Sequence, residues 1–268
     1  MSTFHHFPVN LNGAMWILIL KLIISTGTCD AAPHSQGKAW PYPSNRLYGQ
    51  KAAGRALTNA TLVISIGFPK AGTTSLYEFF KCNNVSAVAH FGCHHGSHSC
   101  GHCFERFVTN TASKHLKKDA SGFINASYYE QMLFEQCGHY SVFANNMYLT
   151  NQDCLYPAVD HIRQIQATLP RACFILHTRD LQKWVESYFH YGAMYNRAIK
   201  NCQGVWPRTK EGVVEWHRIH LENARQVLSK HDYAIEYDIE DPAAGETLAN
   251  YFHGARPECW GHYNRGSN

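Results

Sequence analysis

Short apolar runs bounded by turn residues alternate with amphipathic segments along most of the chain. Residues 62–66, 172–178 and 233–239 are rich in β-branched and aromatic side chains and have the length of buried strands. Apolar residues recur at three- and four-residue spacing over residues 157–169 and 213–229, which predicts helices there. Strands that alternate with helices indicate an α/β domain, and we expect three layers around a central, mostly parallel sheet of about five strands.

The N-terminal part of the chain follows a different pattern. Residues 14–24 are apolar except for Lys21, and this run suits a signal-peptide core better than a membrane span, which needs about 20 residues. We expect residues 1–30 to be a signal peptide or an uncleaved signal-anchor, although no Lys or Arg precedes the run and a buried helix is the third alternative. Residues 31–60 are rich in Pro, Gly, Ser and Asn and predict a linker or stem, so the domain spans residues 61–268.

Composition narrows the class of protein and its compartment. The chain has 268 residues, of which 45% are hydrophobic and 16% charged, so one α/β domain with a sizeable core is expected. A net charge of +4 fits a phosphate-bearing ligand but is too weak to indicate nucleic acid. Ten cysteines and the glycosylation sequons at Asn59, Asn84 and Asn125 favour an oxidising compartment, either the lumen of the secretory pathway, such as the Golgi, or the cell exterior.

A glycine-rich turn follows the first predicted strand and leads into a helix. The first amides of a helix have no intrahelical acceptor and lie at the positive end of its dipole, so an anion fits there. Gly67 and Gly72 let the backbone approach such a ligand closely, and Lys70 adds a positive charge. The segment therefore predicts a phosphate cradle, whose members are Pro69, Lys70, Ala71, Gly72, Thr73, Thr74 and Ser75.

The cradle differs from that of the nucleoside triphosphatases, in which a lysine directly follows the second glycine. Thr73 stands at that position here, and Lys70 lies inside the loop. The pattern P-K-x-G-T-T-[ST]-L after an apolar strand resembles the 5′-phosphosulfate loop of the sulfotransferases, which bind 3′-phosphoadenosine 5′-phosphosulfate (PAPS). The resemblance implies their P-loop-like fold and a catalytic role for Lys70, which would bind the phosphosulfate and stabilise charge on the bridging oxygen. The residues that would cradle the 5′-phosphate are Gly72, Thr73, Thr74 and Ser75.

A second motif follows the predicted strand at residues 172–178. Arg179 stands at the end of that strand, and Ser187 comes about two turns along the next helix. An arginine and a serine so placed can converge on one phosphate, the first through charge and the second as a neutral donor. The spacing R-x7-S resembles the 3′-phosphate motif of the same family. Triphosphate hydrolysis would instead need Mg²⁺, whereas the reaction implied here requires no metal.

Residues 90–103 contain three cysteines and five histidines. They could form a zinc site from the cysteines and one histidine, or a disulfide-pinned loop that presents a histidine to the substrate. In the sulfotransferases, the base that activates the acceptor often lies on the segment after the phosphate helix. His90 is therefore the predicted catalytic base, since an imidazole has a suitable pKa. His94, His95 and Glu105 are competing candidates, and each histidine could equally be a surface side chain.

Cysteine pairing can be predicted only from proximity. Cys29 lies near the possible cleavage point and Cys173 lies inside a predicted strand, which leaves eight cysteines and 105 possible pairings. Proximity favours pairs within one group, and a link between Cys202 and Cys259 is a further guess. That group consists of Cys82, Cys93, Cys100 and Cys103.

The resemblance covers residues 62–252 by motif and element order, without the acceptor region. The patterns His90-x-x-Cys93 and Cys100-x-x-Cys103, and the tail CWGHYNR at residues 259–265, resemble those of a group of uncharacterised secretory sulfotransferase-like proteins of algae. The family resemblance implies a sulfotransferase that moves a sulfuryl group from PAPS to a hydroxyl or amine. A glycan or glycoprotein acceptor is favoured because luminal enzymes of this kind mostly act on sugars, although protein tyrosine and small metabolites stay open. The alternative is a catalytically inactive protein of the same fold that binds a nucleotide or glycan. We expect contact with a membrane only if residues 1–30 remain as an anchor.

Overall fold

A computed structural model describes most of the chain beyond the N-terminal segment. The predicted signal peptide or anchor lies outside the described residues. In the part of the chain that is described, no helix is long and apolar enough to cross a membrane. The described residues are 45–48, 55–56, 62–93, 98–112, 117–118, 122 and 124–261, with the backbone alone described at 45–48, 55–56 and 98.

The secondary structure alternates between strands and helices, as the sequence predicts. The strands are β1 (Asn45–Tyr48), β2 (Arg55–Ala56), β3 (Val63–Ser65), β4 (Val88–Ala89), β5 (Gly92–Cys93), β6 (His98–Ser99), β7 (Val142–Phe143), β8 (Tyr148–Leu149), β9 (Cys154–Leu155), β10 (Cys173–Thr178), β11 (Ala234–Asp238) and β12 (Phe252–His253). The helices are α1 (Thr73–Cys82), α2 (Cys100–Ala112), α3 (Ala126–Cys137), α4 (Pro157–Asp160), α5 (Ile162–Thr168), α6 (Leu181–His190), α7 (Met194–Asn201), α8 (Lys210–Leu228) and α9 (Ala244–Tyr251). A short 3₁₀ helix follows at Pro257–Cys259.

The main sheet has the strand order β1-β11-β10-β3-β7-β4. Strands β4, β7, β3, β10 and β11 are parallel to one another, which confirms the predicted fold class of an α/β domain with a mostly parallel central sheet. Strand β1 adds an antiparallel edge, with Leu47 opposite Ile235. This strand lies inside the segment 31–60 that the sequence predicts as a linker, so the sheet takes four residues from that segment. Its position depends on pairing with β11, which no local pattern in so short a run indicates.

Helices cover both faces of the sheet and produce the three predicted layers. Alternate residues of a strand point to opposite faces, so neighbouring residues enter different hydrophobic cores. Ile64 packs in a core with α2, α3, α5 and α8. Val63, its neighbour in β3, packs in the other core with α1 and α9. Phe174 and Ile175 of β10 divide in the same way. The central strands are therefore buried on both sides, as parallel strands require.

The disulfides correct most of the predicted cysteine pairing. Of the four pairs in the described ranges, Cys93–Cys100 alone joins two members of the predicted group, across the turn between β5 and the start of α2. The predicted Cys202–Cys259 pair is wrong, because each of these cysteines has a partner distant in sequence that the fold brings close. The other pairs are Cys82–Cys259, Cys103–Cys137 and Cys154–Cys202.

The alternative of a zinc site in residues 90–103 is wrong for a chemical reason. Cys93, Cys100 and Cys103 all form disulfides, and a disulfide sulfur is not available as a thiolate ligand. Cys173 is buried within β10, the strand that the sequence predicts there. Cys29 lies outside the described residues.

Candidate active site

The glycine loop lies at the centre of the sheet. Strand β3 lies between β10 and β7. The strands β10 and β11 follow on one side of it and β7 and β4 on the other, so the chain order reverses direction at β3. In sheets of this type, ligands bind in the crevice beyond the carboxyl ends of the strands at such a point. Residues 66–72 leave the carboxyl end of β3 and enter α1. The topology alone therefore places the loop where a ligand site is expected.

Two residues of the loop adopt the left-handed conformation. Lys70 has a φ of 67° and Gly72 a φ of 96°. Gly72 is also the N-cap of α1, and a Cβ added there would lie 2.7 Å from the Cγ2 of Ile239. Both its φ and its close packing therefore exclude a side chain. The first turn of α1 begins with Thr73, which is buried, and Thr74, which is half-buried.

The side chain of Lys70 lies between an aromatic ring and a second cation. Its ammonium nitrogen is 3.5 Å from the ring centre of Tyr191, whose side chain follows α6 and is 55% exposed. Partial burial, and then the positive charge of Arg179, lower the pKa of Lys70 from its ordinary value. An anion beside Lys70 would raise this pKa again, because an opposite charge nearby favours the charged ammonium group.

Arg179 joins the second motif to the loop. It follows Thr178, the last residue of β10, and its Nη1 donates a hydrogen bond to the carbonyl oxygen of Lys70 at 3.3 Å. Its Nε donates to Oε1 of Glu240 at 3.1 Å. The structure thus brings together two motifs that lie more than a hundred residues apart in sequence. The role of Arg179 in binding a 3′-phosphate stays a prediction.

Ser187 lies on the helix that follows Arg179. It is half-buried and stands four residues after Lys183 on α6, so the two side chains lie on the same side of that helix. Tyr191 follows four residues further on, and its ring contacts the ammonium group of Lys70. Among the described contacts, no hydrogen bond joins Ser187 to Arg179, and their convergence on one phosphate stays a prediction.

His90 lies at the start of the phosphate helix. It follows β4, and its Nε2 is 3.3 Å from Oγ1 of Thr73. The ring stacks on Tyr77, with centroids 5.4 Å apart, and also contacts Phe91. Burial lowers the pKa of His90 to about 4, so the imidazole is neutral near pH 7 and can accept a proton. The structure therefore places this candidate base beside the cradle.

The competing bases are not brought to the same place by the described contacts. Glu105 lies on α2, and its carboxylate is 3.7 Å from Nε2 of His161, between α4 and α5. His94 and His95 lie outside the described residues. Which of the four candidates activates an acceptor stays a prediction.

Buried histidines below the loop are a feature that the sequence analysis missed. Nε2 of His177 lies 2.7 Å from Oγ of Ser65, and Nε2–H of His220 donates to the carbonyl oxygen of Ile66 at 2.7 Å. Gly67 packs so closely on this layer that an added Cβ would lie 2.4 Å from the ring of His177. Burial lowers the pKa of His177 and of His220 to about 4. The loop therefore rests on neutral imidazoles that hold its backbone.

A third histidine belongs to the aromatic part of the same support. His217 stacks on Trp184, with ring centroids 3.9 Å apart and an interplanar angle of 19°. The indole N–H of Trp184 donates to the carbonyl oxygen of Pro69 at 3.0 Å. Burial lowers the pKa of His217 to about 3. In a sequence with 18 histidines, no local pattern separates these buried rings from the histidines near the site.

Glu240 is another residue that the motifs did not include. It follows β11, two residues after Asp238, and its carboxylate lies between Arg179 and Lys183. The sequence did contain a signal for Glu240, because the predicted strand at residues 233–239 is followed by acidic residues. Strand β11 ends beside β10, so these residues lie at the same edge of the sheet as Arg179.

The parallel sheet, the glycine loop beyond its central strand and the arginine beyond the next strand define an α/β protein with a P-loop-like fold. The profile of the sulfotransferase domain matches residues 62–258 of the 268. The chain therefore belongs to the sulfotransferase family, whose domain carries out sulfuryl transfer. A search of curated proteins finds no match to the chain.

Proposed function

We propose that the chain transfers a sulfuryl group from PAPS to a hydroxyl or amine of a glycan or glycoprotein in the secretory pathway. The observation that carries the proposal is the hydrogen bond from Arg179 to the carbonyl oxygen of Lys70. It supports a single cleft with cations from two motifs, and PAPS is a donor with two separate anionic groups. A ligand with one phosphate would use the loop and make no contact with the second cation.

The residues of the cleft fit the two ends of the donor. The turn at Gly72 leads directly into the first amides of α1, where the helix dipole favours the 5′-phosphosulfate. Lys70 is the cation nearest this end, and Arg179 is suited to the 3′-phosphate. Neither contact needs a metal ion, since charge neutralisation comes from the side chains and the helix.

The chemistry follows from this placement. The acceptor oxygen or nitrogen attacks sulfur, and the bond between sulfur and the bridging oxygen breaks, so that adenosine 3′,5′-bisphosphate leaves. Lys70 stabilises the negative charge that develops on the bridging oxygen. His90, which burial keeps neutral near pH 7, takes the proton of the acceptor, and the negative charge of the bound donor raises its lowered pKa and so favours the imidazolium that forms. Binding both reactants in line accounts for most of the remaining rate, as in phosphoryl transfer.

Surface features support a glycan acceptor and a secretory compartment. Phe91 is 52% exposed beside His90, and Tyr191 is 55% exposed beside Lys70. Exposed rings of this size next to a polar cleft are suited to an acceptor with apolar faces, such as a sugar ring. The disulfides and the exposed sequon at Asn84 suit an oxidising compartment with access to glycosylation.

Transfer of sulfur-35 from labelled PAPS tests the proposal directly. The purified chain is incubated with glycans, glycoproteins and tyrosine peptides, and we expect label in the glycan or glycoprotein fractions. Binding of adenosine 3′,5′-bisphosphate without transfer to any acceptor would contradict the proposal and favour the inactive alternative. Label in the peptides alone would contradict the proposed acceptor class.

Replacement of Arg179 by alanine should weaken donor binding more than it slows transfer. A charge-assisted contact contributes about 1.5–3 kcal/mol, so the Kd of adenosine 3′,5′-bisphosphate should rise by about 10- to 100-fold. Isothermal titration calorimetry measures this change. Arg171→Ala is the matched control, because Arg171 precedes the same strand at its other end and pairs with Glu130. An equal effect of the two substitutions would contradict the predicted role.

Replacement of His90 by glutamine should lower kcat by about 10²- to 10⁴-fold, the usual contribution of a general base. Donor affinity should change little, since glutamine can still bond to Thr73. Initial rates with saturating donor measure the effect. Glu105→Gln is the control, because its described partner is His161 on another element. A large loss in the Glu105 variant with little loss in the His90 variant would reverse the assignment.

A further inference from the structure

Three charged side chains form a bridged cluster at the carboxyl ends of β10 and β11. Oε1 of Glu240 accepts from Nε of Arg179 at 3.1 Å, and Oε2 accepts from Nζ of Lys183 at 2.7 Å. The side chain of Glu240 is 21% exposed and that of Lys183 is 58% exposed. Each oxygen of one carboxylate therefore binds one cation, at the edge of the cleft rather than in the core.

This arrangement of two cations around one carboxylate is also suited to a phosphate. Carboxylate and phosphate groups both present two oxygens on one atom, and both prefer charge-assisted donors such as guanidinium and ammonium groups. Glu240 holds the two cations close enough to share one anion. The terminal nitrogens of Arg179 extend from this point toward the glycine loop, where Nη1 reaches the carbonyl oxygen of Lys70.

The position of Lys183 on its helix places it with the other residues of the second motif. Lys183 lies in the first turn of α6, where its backbone N–H donates to the side chain of Asp180, the N-cap. Ser187 stands one turn further along the same side. Arg179 and Lys183 thus lie at the positive end of a helix, which favours an anion, and Ser187 is the next residue along that side.

We propose that Lys183 is a third ligand of the donor's 3′-phosphate, and that the carboxylate of Glu240 fills this pocket until the phosphate displaces it. The inference rests on the proposed function and adds a means of donor selection to it. A nucleotide that lacks the 3′-phosphate cannot replace the carboxylate and gains nothing from the two cations. Lys183 thereby favours PAPS over adenosine 5′-phosphosulfate without touching the reactive end of either nucleotide.

The test compares two nucleotides that differ by one phosphate. Adenosine 3′,5′-bisphosphate and adenosine 5′-monophosphate are titrated into the unmodified chain and into three variants, with thermal unfolding measured for each. Lys183→Met should raise the Kd of the bisphosphate about tenfold and leave that of the monophosphate within about twofold. Glu240→Gln should lower the Kd of the bisphosphate about three- to tenfold, because the competing charge is gone while the side-chain shape is kept.

The control is Lys81→Met, because Lys81 is an exposed lysine in the last turn of α1, at the end opposite the phosphate cradle. It should leave both affinities unchanged. An equal loss of affinity for both nucleotides in Lys183→Met would overturn the assigned contact. Weaker binding of the bisphosphate to Glu240→Gln would overturn the displacement. If the unmodified chain does not bind the bisphosphate, the proposed donor itself is wrong, and that outcome is recognised before any variant is compared.

Discussion

Lys70→Ala is expected to abolish sulfuryl transfer, with kcat lowered by at least ~10³-fold. In the proposed reaction, the ammonium group stabilises the developing charge on the bridging oxygen. Its described neighbours are an aromatic ring and another cation. Its charge is therefore available to the donor. Initial rates of sulfur-35 transfer at saturating donor measure kcat.

The same variant should bind adenosine 3′,5′-bisphosphate with a Kd within about tenfold of the unmodified chain, because the product lacks the sulfuryl group and keeps its other contacts. Alanine retains the Cβ, so the left-handed backbone at this position is strained to the same degree in both proteins. Lys81→Ala controls for the loss of a lysine, because Lys81 lies in the last turn of α1, the helix that follows the loop. More than a tenth of the original kcat in Lys70→Ala would contradict the catalytic role.

The sequence predicts the cradle well because its determinants are local. A β-branched run, a glycine turn and a helix with apolar residues at Leu76, Phe79 and Phe80 specify strand, loop and helix without help from distant residues. The meeting of Lys70 with Arg179 is also predictable, because each residue follows a parallel strand and the carboxyl ends of β3 and β10 share one edge.

Features that depend on distant partners are not predictable in this way. Cys82 pairs with Cys259 because the 3₁₀ helix near the C-terminus packs against α1, a separation of 177 residues in sequence. Glu240 belongs to the cleft through the pairing of β11 with β10. Proximity along the chain predicts neither the disulfide nor the position of Glu240. The pairing of parallel strands determines the position of Glu240.

Whether a histidine is buried cannot be predicted from its residue type and local pattern. A histidine in an amphipathic helix such as α8 can be a surface residue or part of the core, and His217 and His220 belong to the core only because Phe68 and the loop backbone lie against them. The side chains closest to the chemistry could be predicted from motifs. The layer that supports them depends on packing.

The second large expected effect is a loss of folding stability at acidic pH. His177, His217 and His220 are neutral in the folded protein, because burial lowers their pKa values to about 4, about 3 and about 4. In the unfolded chain each takes up a proton below its ordinary pKa of about 6.5. The unfolded state then binds more protons, so stability is fully present above pH 6.5 and is lost as the pH falls toward 4. Each imidazole contributes about 1.4 kcal/mol between pH 7.5 and 5.5, or about 4 kcal/mol for the three.

A loss of this size is a large fraction of the stability of a typical domain, about 5–15 kcal/mol. Urea unfolding at pH 7.5 and 5.5, with the disulfides intact, measures it through the extrapolated free energy. Carboxylates with ordinary pKa values near 4 stay charged across this interval, so the imidazoles dominate the change. His90, whose pKa is also lowered to about 4, adds a fourth contribution of similar size. His220→Gln keeps a donor for Ile66 and should remove about a quarter of the pH dependence, and His190→Gln, at an exposed position on α6, is the surface control. An unchanged free energy of unfolding at pH 5.5 would mean that these histidines are protonated in the folded protein, and the support of the loop would need a different physical account.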